Sequence, residues 1–318
     1  MGTILDVAVR APDRDAALAA SEVAIDEVRR VEELLSTWRD DSPLARLNAT
    51  PAGNEVALDR ELFSVLSDVS TWSRTTRRAF DPTVLPLVRA WDLRGKGRIP
   101  SPKELAAALA ATGPAGFRLD PSRMTATRLD ASAGIEEGAW GKGYALDRAA
   151  ERLQAAGVTN ALIDLGGQVL ARGEDADGRA WTVAIAHPRE RQRPVVVLAL
   201  PGLSASTSGN SERGRDVAHR RVGHILDPRT GEPARDFGSV TVVAKSALVA
   251  DVLSTAYFVL GPSEGLALSA RLRRDGVPNE ALFLVPKGDA LEAVASPGIS
   301  PLVLSTDPTV VGLTTTKP

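Results

Sequence analysis

The sequence contains no cysteine. That absence removes disulfides, thiolate metal sites, iron–sulfur clusters and cysteine nucleophiles together, and leaves the redox compartment open. Histidine is scarce as well, with three residues at 187, 219 and 224. A triple-histidine metal site would need all of them, and their spacing matches no zinc motif. Neither sign of charge is in excess: 38 Lys and Arg against 40 Asp and Glu give a net charge of −2. This balance argues against a dedicated nucleic-acid binder, which carries a basic surplus on one face. No apolar run approaches the ~18 residues of a membrane span. The opening MGTILDVAVRAPDRD lacks the charged segment and apolar run of a secretory signal. The expectation is cytoplasmic residence for a complete chain, and an exported or membrane-associated protein if a leader has been removed. A GxGxxG turn and a P-loop are both missing, the latter because Gly143 follows Lys142, and the one GxSxG match, at residues 261–265, follows an expected helix where a nucleophile elbow needs a strand.

What is present reads as a folded α+β protein. The 318 residues are 43% hydrophobic and 25% charged, in the ordinary globular range. Residues 3–9 alternate as a strand. Ala20, Ala24, Val28, Val31 and Leu35 then share one face of a long helix ending near Ser36–Trp38. Helices follow at 61–72, 103–111 and 144–156. Strands are expected at 161–165, 181–186, 195–200 and 239–244, and 239–244 feeds a helix over 246–260. A last helix and strand fall near 263–274 and 281–285. Strands and helices mix without a βαβ period, and no clean linker interrupts them, which favours one α+β unit with two lobes. The domain is expected over residues 1–297, with 298–318 as a Ser/Thr/Pro-rich tail dispensable for the chemistry.

Three segments carry chemical groups. Asp251 and Thr255 sit four residues apart on an apolar helix, so they project from one face. A buried carboxylate there needs a partner. Either it forms a salt bridge or cap, or it joins an oxygen-only site for a hard cation such as Mg²⁺. The stretch Gly138–Asp147 is a Gly-rich loop entering a helix, with Lys142 adding charge. It reads as an anion site at a helix N-terminus or as a turn with a surface lysine. His224 precedes an apolar pair and a DPRTG turn, and is either structural or a base. Together these groups suit Mg²⁺-assisted chemistry on a phosphate ester or pyrophosphate.

The order of motifs resembles the ApbE family, the FAD:protein FMN transferases. The matching stretches are MGT at 1–3, LLSTWRDDSPLARLN at 34–48, AFDPTVLPLVRAW at 79–91 and GAWGKGYALD at 138–147. IDLGG at 163–167, STSG at 206–209, HILDPRTG at 224–231 and VADVLSTA at 249–256 complete the set. The resemblance implies a two-lobed, T-fold-like α+β domain with FAD in the cleft between lobes. It implies transfer of FMN from FAD to a Thr or Ser hydroxyl of an acceptor protein, with AMP released. By the same resemblance Asp251, Thr255 and the carbonyl of Ala139 would hold Mg²⁺. Met1, Trp38, Ala79, Phe80, Asp81, Glu136, Lys142 and Ile225 would line the FAD site, and His224 would be the base. Two positions depart from the family pattern: Glu136 replaces the usual Asp, and Trp38 the usual Tyr. Trp38 offers a ring face to the flavin or adenine, or else closes a helix end. The alternatives to transfer are hydrolysis of FAD to FMN and AMP, or a carrier that keeps FAD intact.

Overall fold

The computed structural model describes residues 2–210, 215–217 and 220–313. It is an α+β fold whose chain divides into two compact units. The first comprises residues 1–31, 141–212 and 236–318, and the second 32–140 and 213–235.

The chain opens with β1 (Leu5–Val9) and α1 (Arg14–Leu35). The five positions expected on the apolar face of α1 are all buried. Short elements follow, each with a local start signal. Ser42 caps α2 (Pro43–Ala49), whose first residue is proline; β2 (Glu55–Ala57) precedes α3 (Arg60–Thr75), capped by Asp59. Helix α4 (Leu85–Ala90) is short, bounded by the prolines of FDPTVLP. Helix α5 (Pro102–Ala110) carries a full capping box between Ser101 and Glu104. The hairpin β3 (Phe117–Asp120) and β4 (Thr125–Arg128) completes a small sheet in the order β2-β4-β3. These elements belong to the second unit. So does the pair β10 (Arg215–Val217) and β11 (Arg220–Val222). Its core joins Leu87, Ala90 and Trp91 of the α4 region to Ala108, Val222 and Leu226.

The rest builds the first unit. Helix α6 (Gly141–Ala155) leads into β5 (Ala161–Leu165), β6 (Gln168–Arg172), β7 (Trp181–Ala186), β8 (Pro194–Leu200) and β9 (Ser204–Gly209). After the second unit's return, β12 (Ser239–Ala244) feeds α7 (Ala247–Arg274), then β13 (Asn279–Lys287), β14 (Ala290–Ala295), β15 (Val303–Thr306) and β16 (Val310–Val311). Eight strands form one sheet in the order β1-β5-β6-β9-β12-β13-β14-β16, antiparallel except for the last pair. One face of this sheet packs on the smaller sheet β15-β8-β7. Ala205, Val243, Leu282 and Leu284 from the large sheet meet Val196, Leu198 and Leu200 there. The other face carries α6 and α7.

Three local expectations differ from the structure. Helix α6 begins at Gly141, inside the stretch read as a loop. Strand β9, SASTSG, has little intrinsic strand preference and was not expected; it forms because its small side chains let α7 approach the sheet centre. The stretch expected as a tail contributes Ile299, Val303 and Val310 to the core of the first unit. Among the described residues no helix is long and apolar enough to cross a membrane.

Candidate functional site

In the first unit the chemistry gathers where α6 meets α7. Asp251 lies in the second turn of α7 and is 3% exposed. Its Oδ2 accepts the backbone N–H of Gly143 at 3.0 Å. Its Oδ1 is met at 3.5 Å by Lys142 Nζ and at 3.5 Å by the Ser206 hydroxyl. Both distances are long for strong hydrogen bonds, so Oδ1 keeps capacity for another electropositive partner. Thr255, one turn further along α7, is half-buried. Behind Asp251 the hydroxyls of β9 and α7 form a chain: Ser254 pairs with Ser206 at 3.2 Å and with Ser208 at 2.9 Å, and donates to the Asp251 carbonyl at 2.9 Å. Alternation along β9 aims Ser204, Ser206 and Ser208 at α7 while Ala205 faces the apolar core.

Gly143 makes this approach possible. A Cβ there would stand 2.3 Å from the Ala247 carbonyl oxygen and 2.8 Å from the Leu248 Cα. The Gly-rich run is therefore a helix-packing device, with Lys142 in the first helical turn of α6. Asp147, which was not among the expected site residues, accepts from Ala247 N at 2.7 Å, Leu248 N at 3.0 Å and the Ser246 hydroxyl at 2.6 Å.

Among the described residues no three His, Asp or Glu side chains gather closely enough to hold a metal. A transition-metal site is a poor match for that donor set. One buried carboxylate beside neutral hydroxyl oxygens fits a hard cation that completes its shell with water and phosphate oxygens.

In the second unit two clusters carry the remaining candidates. The corner at Arg77 and Arg78 has left-handed backbone, φ 52° and 64°. Arg78 holds it together: its Nε donates to Asp81 Oδ2 at 2.9 Å, and its Nη2 donates to the carbonyls of Thr112 at 3.0 Å and Pro228 at 3.2 Å. Asp81 Oδ1 accepts from the N–H and hydroxyl of Thr83. Ala79 and Phe80 are buried, so their side chains serve the core and leave only backbone to offer a ligand. The Pro228 contact ties this corner to the segment bearing His224 and Ile225. That segment is pinned by the Leu226–Pro233 bridge and by Trp91 Nε1 donating to the Gly231 carbonyl at 2.8 Å. His224 is half-buried and Ile225 buried.

The other cluster surrounds Glu136. Its backbone N–H donates to Pro82 O at 2.7 Å, and its carbonyl accepts from Trp140 Nε1 at 2.8 Å. The carboxylate pairs with Arg94, which also donates to the Thr37 carbonyl at 2.6 Å. Thr37 in turn donates from its hydroxyl to Glu137, and its N–H reaches Glu137 at 3.2 Å. Burial, and then the neighbouring Glu137 carboxylate, push Glu136 up to about 7 against the pull of Arg94. The Arg94 guanidinium also lies over the Trp38 ring, 4.7 Å from its centroid, while that ring is 63% exposed. Trp38 is thus a presented ring face and not a core closure. Ala139 stands in the turn 138–140 directly before α6. Met1 lies outside the described residues.

The structure therefore brings Lys142 to Asp251, and Trp38 to Glu136 through Arg94. Arg94, Glu137, Thr37 and Arg78 were not legible as site residues, because their partners lie far off in sequence with no spacing rule to mark them. Asp147 left a faint signal, four residues after Gly143 and so on the same helix face.

A sequence profile of the ApbE family matches residues 1–278. A protein of Vibrio cholerae named FAD:protein FMN transferase is 30% identical over 281 residues, covering 87% of this chain and 82% of its own. One of the same name from Treponema pallidum is 33% identical over 287 residues, covering 84% and 77%. Among solved structures, the ApbE protein of Thermotoga maritima superposes with a TM-score of 0.82 at 29% identity, covering 89% of this chain and 91% of that one. The flavin transferase ApbE of Vibrio cholerae gives 0.82 at 28%, covering 95% and 96%.

Proposed function

The chain belongs to the ApbE family, and we propose that it is an FAD:protein FMN transferase acting with Mg²⁺ on a Thr or Ser hydroxyl of an acceptor protein. The observation that carries this reading is the buried Asp251 carboxylate, set against Lys142 at 3.5 Å with Thr255 one turn away. Asp251 and Thr255 would hold a divalent cation, whose role is to neutralise charge on the pyrophosphate oxygens. Lys142 supplies a further positive charge for the phosphates. Trp38 offers its exposed face to a flavin or adenine ring. Glu136, with Asp81 and the backbone of Ala79 and Phe80, orients the polar edge of FAD, and Ile225 gives an apolar contact.

In the reaction the acceptor hydroxyl oxygen attacks the phosphorus on the FMN side of FAD. The bond from that phosphorus to the bridging oxygen breaks, and AMP leaves with the oxygen. His224 takes the hydroxyl proton, a contribution of about 10²–10⁴-fold. The product carries FMN as a phosphoester on the acceptor.

The test incubates the protein with FAD and Mg²⁺, with and without a threonine-containing acceptor domain, and follows AMP release and acceptor mass. Transfer gives AMP that depends on the acceptor and a mass gain of one FMN. AMP without any mass gain at saturating FAD replaces the reading with FAD hydrolysis, and FAD left intact in Mg²⁺ replaces it with a carrier. His224→Ala is expected to keep FAD binding and lose most transfer; full activity in that variant removes the histidine from the proton path.

A further inference from the structure

We infer that Asp147 is a positioning residue for Asp251, setting the register of α7 against α6 so that the Asp251 carboxylate is held ready for a cation. The inference rests on the reading of Asp251 as a cation ligand. Helix α7 already has its own cap: the Ser246 hydroxyl accepts from Val249 N at 3.2 Å. A cap of that kind satisfies one of the four free N–H groups of the first turn. The next two, on Ala247 and Leu248, go to a carboxylate from a different helix. Asp147 binds them with one oxygen each, and one of those oxygens also accepts from the Ser246 hydroxyl.

These bonds form one rung of a ladder with two rungs. Gly143 and Asp147 lie four apart on one face of α6, as Ala247 and Asp251 do on α7. The Gly143 rung has its N–H on Asp251 Oδ2 at 3.0 Å and its missing side chain against the Ala247 carbonyl. The Asp147 rung holds the start of α7. Gln168 adds a third tie, donating to the Ala247 carbonyl at 2.8 Å. With both rungs in place neither helix can rotate or slide without breaking charge-assisted bonds. Lys142 and Asp251 are thereby kept at their spacing. An ordinary cap would need only Ser246; the second carboxylate fixes where α7 points.

Asp147→Asn tests this, because asparagine keeps one acceptor oxygen but sets an NH₂ against the donors of Ser246 and Leu248. Mn²⁺ serves as the probe: free Mn²⁺ is read by its EPR signal across a protein titration, with and without FAD, well below the unfolding midpoint. Asp251→Asn and Ser246→Ala are measured beside it. The expected result is about tenfold or greater weakening of Mn²⁺ binding in Asp147→Asn, with far-UV circular dichroism unchanged. Ser246→Ala should weaken it less, because both Asp147 bonds to backbone N–H remain. If Asp147→Asn binds Mn²⁺ like the parent while Asp251→Asn does not, Asp147 is only a helix cap and the inference is overturned. If Asp251→Asn binds like the parent, the cation reading of Asp251 fails, and the inference falls with its premise.

Discussion

Glu136 lends itself to a quantitative test by Glu136→Gln. In the folded chain its carboxyl is held at about 7 instead of the ordinary 4.5, first by burial and then by Glu137. At about 1.4 kcal/mol per pH unit, that gap corresponds to about 3 kcal/mol. The folded state keeps this proton more tightly than the unfolded chain does. The stabilisation is therefore complete below about pH 4.5 and is lost as pH rises through about 7. Glutamine is neutral throughout, so the variant lacks this dependence, and any loss of the Arg94 ion pair enters chiefly as an offset. Urea unfolding followed by tryptophan fluorescence at pH 5, 6, 7 and 8 reads the difference. Every tryptophan except Trp181 lies in the same unit as Glu136, so the signal reports the relevant region. The parent should lose most of that difference relative to the variant between pH 5 and pH 8, part of it being already gone at pH 5. Parallel curves for the two proteins would show that Glu136 is ionised from low pH and that burial does not control it.

Two further perturbations follow from the packing. Gly143→Ala drives a Cβ to 2.3 Å from a backbone oxygen that cannot swing away, so the unfolding free energy should fall by about 2 kcal/mol or more, read by chemical denaturation. An unchanged midpoint would mean that α6 and α7 are not in close backbone contact. Truncation after Pro297 removes the buried Ile299, Val303 and Val310, with a loss on the order of 5 kcal/mol. A thermal melt monitored by circular dichroism should show a collapsed midpoint, and a parent-like melt would restore the view of this stretch as a dispensable tail.

The elements readable from sequence were those governed by period and punctuation. The apolar face of α1 and the strands Ala161–Leu165 and Ser239–Ala244 obey local rules, and tertiary packing agrees with them. The missed features are those in which packing overrides propensity. Gly141 and Gly143 are poor helix formers, yet the contact with α7 requires the smallest residue inside α6. Strand β9 is built from residues that favour turns, and it holds because the α7 hydroxyls and two neighbouring strands satisfy it. The short strands β2, β3 and β4 offered too few residues for a period to register. At the site, Asp251, Thr255, Lys142 and Trp38 were visible as residue types on helices or at a helix end. The partners that set their environment were not, since Arg94 meets Glu136 from a distant turn.

The division of the first unit into three stretches bears on the order in which the chain can fold. Strand β1 finds its partner only when β5 exists: Val9 pairs with Ala161 and Leu5 with Leu165. On a ribosome, residues 32–140 emerge before that partner does, so the second unit's helices and small sheet can form while β1 is still an unmatched strand. The large sheet closes later still, when Val310 and Val311 align with Leu291 and Glu292. A sheet assembled from such separated pieces pays its loop-closure entropy before most contacts reward it, and folds slowly. During that interval β8 still lacks β15 and β14 still lacks β16, and those open edges mark the period in which this chain would depend on chaperones.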